Sequence, residues 1–179
     1  MDLQNFSAEM LYFKEDSSPE VDLLLQMAAK NYGQESESLL LKALALSEKN
    51  VSVLVGLYRF YYFQHRYEDA LEIARIVMQV VAEKIEFPAS WHELDNSHVL
   101  VGVSHSFTFV RLYLFALKAA GYVCLRLNRF EEGKRMLEKV VEMDSKNRIG
   151  AELLLDVLQN NSAEVISLNN IPQLMEAKR

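Results

Sequence analysis

The chain has 179 residues, half of them apolar, which is enough to bury a core as one compact domain or a short stack of repeats. Gly and Pro number only 6 and 3, a mix that favours long helices over strands and tight turns. A net charge of −6 and a pI near 5.3 repel a phosphate backbone and exclude general nucleic-acid binding.

Residues 1–16 form an N-terminal extension in which Phe6, Met10, Leu11 and Phe13 can share one side of a short helix. Ser17-Ser18-Pro19-Glu20 then reads as a helix start: a capping serine, proline in the first turn, an acid beside the positive dipole end. That helix runs through Leu23, Leu24, Met27 and Ala28 to about Tyr32, where Gly33 breaks it. A second helix is predicted from Glu35 to about Ser47. The next pair spans about Val51 to Gln64 and Tyr67 to Lys84, with His65-Arg66 as the turn. Residues 85–113 follow as an insert. Phe87-Pro88 stops a helix near its start, and from about Ser104 it can extend the next helix backward. The last pair spans about Leu114 to Leu127 and Phe130 to Met143. Glu131 and Arg135 in it are placed for an i,i+4 ion pair. A capping helix from Asn147 to Leu158 turns Ala151, Leu154, Leu155 and Leu158 inward and Glu152 and Asp156 outward. Residues 159–179 read as a loosely ordered tail.

Two of these pairs are copies of each other. Residues 54–84 and 117–147 align so that Tyr67-Glu68-Asp69-Ala70 falls on Phe130-Glu131-Glu132-Gly133, with coincident apolar positions on both sides. Units 17–50, 51–84 and 114–147 each have 34 residues, and the insert 85–113 separates the last two. A 34-residue helix–turn–helix unit with a large apolar residue near its start (Leu54, Leu117) resembles the tetratricopeptide repeat. Leu57 or Ala120 and Tyr61 or Cys124 follow in each copy. An aromatic (Tyr67, Phe130) then opens the second helix, with a small residue (Ala70, Gly133) behind it. Tyr58 departs from the pattern by filling a slot usually held by a small residue, and no unit ends in the typical proline. The resemblance implies an all-α fold: a right-handed superhelix of about three repeats over 17–158, closed by the capping helix 147–158.

The resemblance also implies a non-catalytic interaction scaffold that binds a peptide segment of a partner, acidic or apolar, on a concave face lined by first helices. On this sequence that face takes Val55, Arg59, Tyr62 and Phe63 from one unit, and Phe115, Lys118, Tyr122, Leu125 and Arg126 from another. The first unit adds Val21, Leu25, Ala28 and Ala29. Aromatic and arginine side chains dominate interface energetics, and local positive charge steers carboxylate ligands. The clamp that some members use on acidic chaperone tails is not expected, because Val21, Leu25, Gly56, Phe115 and Ala119 occupy its places. Type III secretion chaperones, small acidic proteins of three repeats, are the alternative. So is a groove filled by residues 1–16, by 163–179 or by a second copy in a homodimer.

Other chemistry finds little support. His92, His98 and His105 in the insert are candidate metal ligands, but their spacing matches no compact metal signature. Cys124 lies on an inward stripe, no glycine-rich phosphate loop is present, and neither enzyme activity nor a cofactor is expected. The start, Met1-Asp2-Leu3-Gln4-Asn5, lacks the pattern of a signal peptide. Arg111, Lys118 and Arg126 break up the most apolar stretch, so no membrane segment is expected either. The single cysteine fits a reducing compartment, taken as the cytoplasm.

Overall fold

The structure, a computed structural model, describes residues 17–30 and 33–159. The short helix expected around Phe6 to Phe13, the helix end near Tyr32 and the tail beyond residue 159 lie outside the described residues. Those described fold into helices without strands. In chain order they are α1 (Pro19–Lys30), α2 (Gln34–Leu46), α3 (Val51–Phe63), α4 (Tyr67–Ile85), α5 (Asn96–Arg126), α6 (Phe130–Met143) and α7 (152–159). Each of α1 to α6 packs on its sequence neighbour, so consecutive helices lie side by side.

Local capping explains most of the starts. The Val21 N–H donates to Ser18 Oγ at 3.3 Å ahead of Glu20 and Asp22 in the first turn of α1. Ser36 ties α2 to α1. Its hydroxyl accepts from the Gly33 N–H at 3.2 Å and donates to the Ala28 carbonyl at 3.1 Å, wholly buried. Asn50, also buried, caps α3 by accepting from the Val53 N–H at 3.0 Å.

The duplication is visible in the backbone. Between α3 and α4, His65 is left-handed (φ 57°) and the Arg66 N–H reaches the Tyr61 carbonyl at 2.9 Å. Between α5 and α6, Asn128 is left-handed (φ 60°) and the Arg129 N–H reaches the Cys124 carbonyl at 2.8 Å. Every partner is displaced by the same 63 residues. The duplicated arginines also act alike: Arg66 pairs with Glu37 on α2 at 2.7 Å and Arg129 with Glu68 on α4 at 2.9 Å. These exposed pairs contribute at most about 0.2–1 kcal/mol each and set register more than stability.

The hairpins differ where their helices cross. At the second crossing Gly121 faces Gly133, and a Cβ on Gly133 would lie 2.7 Å from the Gly121 carbonyl oxygen. At the first, Tyr58 and Ala70 occupy those places, both buried. The aromatics that open α4 and α6 also part company. Tyr67 is half-buried against other rings, while Phe130 is 52% exposed and does not fill the space beside Gly133. The unit after Tyr67 covers it with the end of α5, whereas Phe130 is followed by the short α7.

The insert is a built element rather than a loop. Glu86 (φ 55°) ends α4, and Phe87 then buries edge-on to Tyr113, ring centroids 5.0 Å apart. Trp91–Glu93 form a 3-10 turn, and the buried Leu94 offers its carbonyl to Lys139 Nζ at 3.0 Å. The Asp95 carboxylate caps α5 by accepting from Ser97 and His98 N–H groups at 2.8 and 3.0 Å. The helix breaks at Ser106 (φ −164°, ψ 109°), whose hydroxyl recaps it by accepting from the Phe109 N–H at 3.3 Å. A first arm, 96–105, thus precedes a second, 107–126, that takes the place expected for 114–127. The first arm carries Gly102, where a Cβ would meet Phe87 at 2.5 Å.

Two expectations at the far end need correction. Residues 147–151 are not helical, because Asn147 (φ 47°) and Gly150 (φ 72°) are left-handed. The outer face of α7 is not purely polar either: Leu153 and Val157 are exposed beside Glu152 and Asp156. On α6 the guanidinium of Arg135 donates to the Glu131 backbone carbonyl at 3.2 Å, in place of the expected side-chain pair.

Gly133→Ala should destabilise the fold by about 1–3 kcal/mol, since the new methyl meets backbone that cannot step aside. Urea unfolding checks this, and an unchanged midpoint would mean that the two helices do not approach this closely.

Candidate interaction surface

Helices α3 and α5 contain no Asp or Glu. Their only Lys and Arg residues are Arg59, Arg111, Lys118 and Arg126, in a chain whose net charge is −6. The acids sit instead on α4 and α6, with Glu68 and Asp69 opening one and Glu131 and Glu132 the other. Carboxylates are therefore kept off α3 and α5, while α4 and α6 carry both signs of charge.

Stacking brings several of the expected surface residues together. Val55 and Arg59, both half-buried, line two neighbouring cavities. The smaller, about 30 Å³, lies between α3, α4 and the second arm of α5, where Phe115 meets Ala116 and Ala119. The larger, about 340 Å³, lies between α1, α2 and α3, with Leu25, Ala28 and Ala29 on one wall and Ser52 and Gly56 on the other. Arg59 thus stands between two stretches of apolar wall.

The far end of α3 meets the far end of α5. The Tyr62 ring lies 6.1 Å from Tyr122, 6.0 Å from Tyr67, 5.7 Å from Phe63 and 6.1 Å from Tyr58. The Arg126 guanidinium stands 4.7 Å above the Tyr67 ring and donates to the Tyr122 hydroxyl at 3.4 Å. Phe63 is 38% exposed and Arg126 is also exposed, so this aromatic and cationic cluster reaches solvent.

Two expected residues stand differently. Phe115 is buried and lines the small cavity, with the Arg111 guanidinium 5.7 Å from its ring. Lys118 is 9% exposed, and its ammonium donates to the Ile149 carbonyl at 2.9 Å, which fastens the segment before α7 to α5. It serves as a structural tie. Tyr67, outside the expected set, is half-buried within this cluster. Ser36, Leu40 and Phe60 in the larger cavity were not foreseen. The missing acids of α3 and α5 were the signal that marked this surface.

The insert histidines do not converge. His98 Nδ1 lies 2.8 Å from Asp95, His105 Nε2 lies 3.7 Å from Glu86, and His92 stacks on Trp91. Among the described residues no three His, Cys, Asp or Glu side chains are grouped to hold a metal ion. The Asp95 carboxyl is held down at about 2, first by the Ser97 hydroxyl and then by the His98 backbone N–H, as a helix cap requires. Cys124 is fully buried, and burial pushes its thiol up to about 11, away from nucleophilic use.

The first arm of α5 leaves apolar side chains in solvent: Leu100 is 74% exposed, with Val101, Val103 and Phe107 also exposed. By length and composition alone α5 is apolar enough to cross a membrane, which the scattered cations of the sequence had argued against. It is broken at Ser106, and its second arm is packed into the core.

Among the described residues the fold is all-helical, and its helices α3 and α5 are free of carboxylates and bring aromatic and cationic side chains together. Comparison with known proteins gives a relative of undetermined activity: an uncharacterized 19.8 kDa protein in the nifW 5′ region of Azotobacter chroococcum mcd 1. It is 51% identical over 166 residues, covering 93% of each chain. The chain belongs to the same family as that protein. No family model matches the sequence, and no solved structure matches it.

The buried thiol predicts a pH dependence. Well below pH 9 Cys124 is neutral both folded and unfolded. As pH rises from 9 toward 11 the unfolded chain loses this proton first, so stability falls over that window. Urea midpoints of the wild type should therefore drop more steeply between pH 9 and 11 than those of Cys124→Ala. Parallel profiles would place the thiol in solvent.

Proposed function

We propose that the protein is a non-catalytic scaffold of the tetratricopeptide class. In this reading about three hairpins and α7 form a right-handed superhelix, whose inner face of α1, α3 and the second arm of α5 binds a segment of a partner protein. The turn geometry repeated at 63-residue spacing supports the class. The observation that carries the binding role is the absence of carboxylates from α3 and α5, which leaves Arg59 and Arg126 beside apolar and aromatic walls in an otherwise acidic chain. Such a face favours an acid-bearing segment with apolar or aromatic anchors. The anchors enter the larger cavity beside Val55, and Arg59 and Arg126 meet the carboxylates. The buried, protonated thiol supports a role without chemistry, and a single free cysteine fits the cytoplasm.

The relative's printed description gives a first place to look for the partner. Products encoded beside this chain's own gene, and any counterpart of the nifW product among them, are the candidates to test first. A self-associating or secretion-chaperone role is the second reading, favoured by the exposed apolar side chains on the first arm of α5.

Affinity capture with the double variant Arg59→Glu and Arg126→Glu tests the main reading. The partner retained by wild type should weaken at least about tenfold, roughly 1.4 kcal/mol, with helicity by circular dichroism unchanged. Capture at equal yield would remove the inner face from the binding role.

A further inference from the structure

We propose that the cavity between α1, α2 and α3 is the docking site of the chain's own residues 1–16, so that the protein carries a built-in competitor for its partner. This rests on the inner face being a peptide site, as proposed above.

The cavity has the form of an anchor pocket. An apolar cavity of about 150 Å³ holds one benzene, so about 340 Å³ has room for two aromatic rings. Among the described residues its walls are apolar apart from Ser36, Ser52 and Arg59, and no carboxylate lines it. Gly56 keeps it open, since a Cβ there would come within 3.1 Å of Leu40 across it.

The sequence of residues 1–16 supplies the complement. Leu3, Phe6, Met10 and Phe13 recur at helical spacing, so one face would present two phenyl rings with a thioether between them. Asp2, Glu9, Glu15 and Asp16 give the segment four carboxylates against one lysine, Lys14. Charge selects among the apolar surfaces near it. The exposed Leu23 and Met27 of α1 flank Asp22 directly in sequence or one turn on, whereas the cavity is lined by Arg59 and, among the described residues, by no acid. Reach is ample. Leu25 in the cavity wall is eight residues past Ser17, roughly 12 Å along the helix, which four or five extended residues span.

Tethering makes weak docking sufficient. A short flexible tether holds the segment at an effective concentration on the order of 1 mM. With an intrinsic dissociation constant near 0.1 mM it would fill about nine-tenths of the sites and weaken an outside ligand about tenfold.

The test uses full-length proteins and a fluorescent synthetic peptide of residues 1–16 as the probe. Full-length Phe6→Asp/Phe13→Asp, whose own segment can no longer dock, should bind the probe about tenfold more tightly than wild type. Adding Ala29→Trp at the cavity mouth should abolish that binding. Trypsin should also cut after Lys14 faster in Phe6→Asp/Phe13→Asp than in wild type. Equal probe affinity in the two proteins, or no binding to either, overturns the proposal. So does binding that survives Ala29→Trp but is lost with Leu23→Asp/Met27→Asp, which would move the segment to the outer face of α1. Should wild type sediment as a dimer that Phe6→Asp/Phe13→Asp dissociates, the segment serves a second copy and the intramolecular claim fails. If the probe fails while partner capture still depends on Arg59 and Arg126, self-docking alone is wrong and the peptide-scaffold reading stands.

Discussion

Leu54, Leu57 and Leu71 of one hairpin and Leu117, Met136 and Leu137 of the other are all but sealed from solvent. Their burial draws on neighbouring helices, since α4 packs on both α3 and α5, and α5 on both α4 and α6. Burying side chains of this size contributes about 1.5–3 kcal/mol each, against at most about 1 kcal/mol for each exposed ion pair along the stack. Packing between neighbouring hairpins is therefore the constraint on which the rest depends. The paired arginines Arg66 and Arg129 align what the apolar flanks hold together.

That constraint also generates the surface. Side-by-side packing of antiparallel helices puts alternate helices in line, so α1, α3 and the second arm of α5 can share one face. The sequence keeps carboxylates off α3 and α5 and concentrates them on α4 and α6. As a result Arg59 stands between two cavities and Arg126 caps a ring cluster drawn from three helices. Lys118, the remaining inward cation of the expected set, is consumed by the architecture.

Much of this was legible in the sequence because it is periodic or capped. The helices from Val51, Tyr67 and Phe130 begin where the apolar stripes and the turn residues say they should. Tyr62, Tyr122 and Arg126 were each assigned to the first helices of their units, and they lie near one another. What was missed depends on single residues in non-repeating surroundings. The break at Ser106 needs one extended residue inside a continuous apolar run, and periodicity passes over it. The non-helical start of the capping segment depends on Asn147 and Gly150. The burial of Lys118 depends on a carbonyl 31 residues away. Phe130 is exposed because its neighbour in the stack is short, which no feature of its own repeat announces.

The central claim is that α3 and the second arm of α5 lie side by side and form one surface. A double-mutant cycle on Tyr62→Ala and Tyr122→Ala, read by urea unfolding, tests it most directly. The two rings, 6.1 Å apart and 60 residues apart in sequence, should couple by about 0.5–1.5 kcal/mol. Additivity to within about 0.3 kcal/mol would mean that the rings do not meet, and the shared face would go with them.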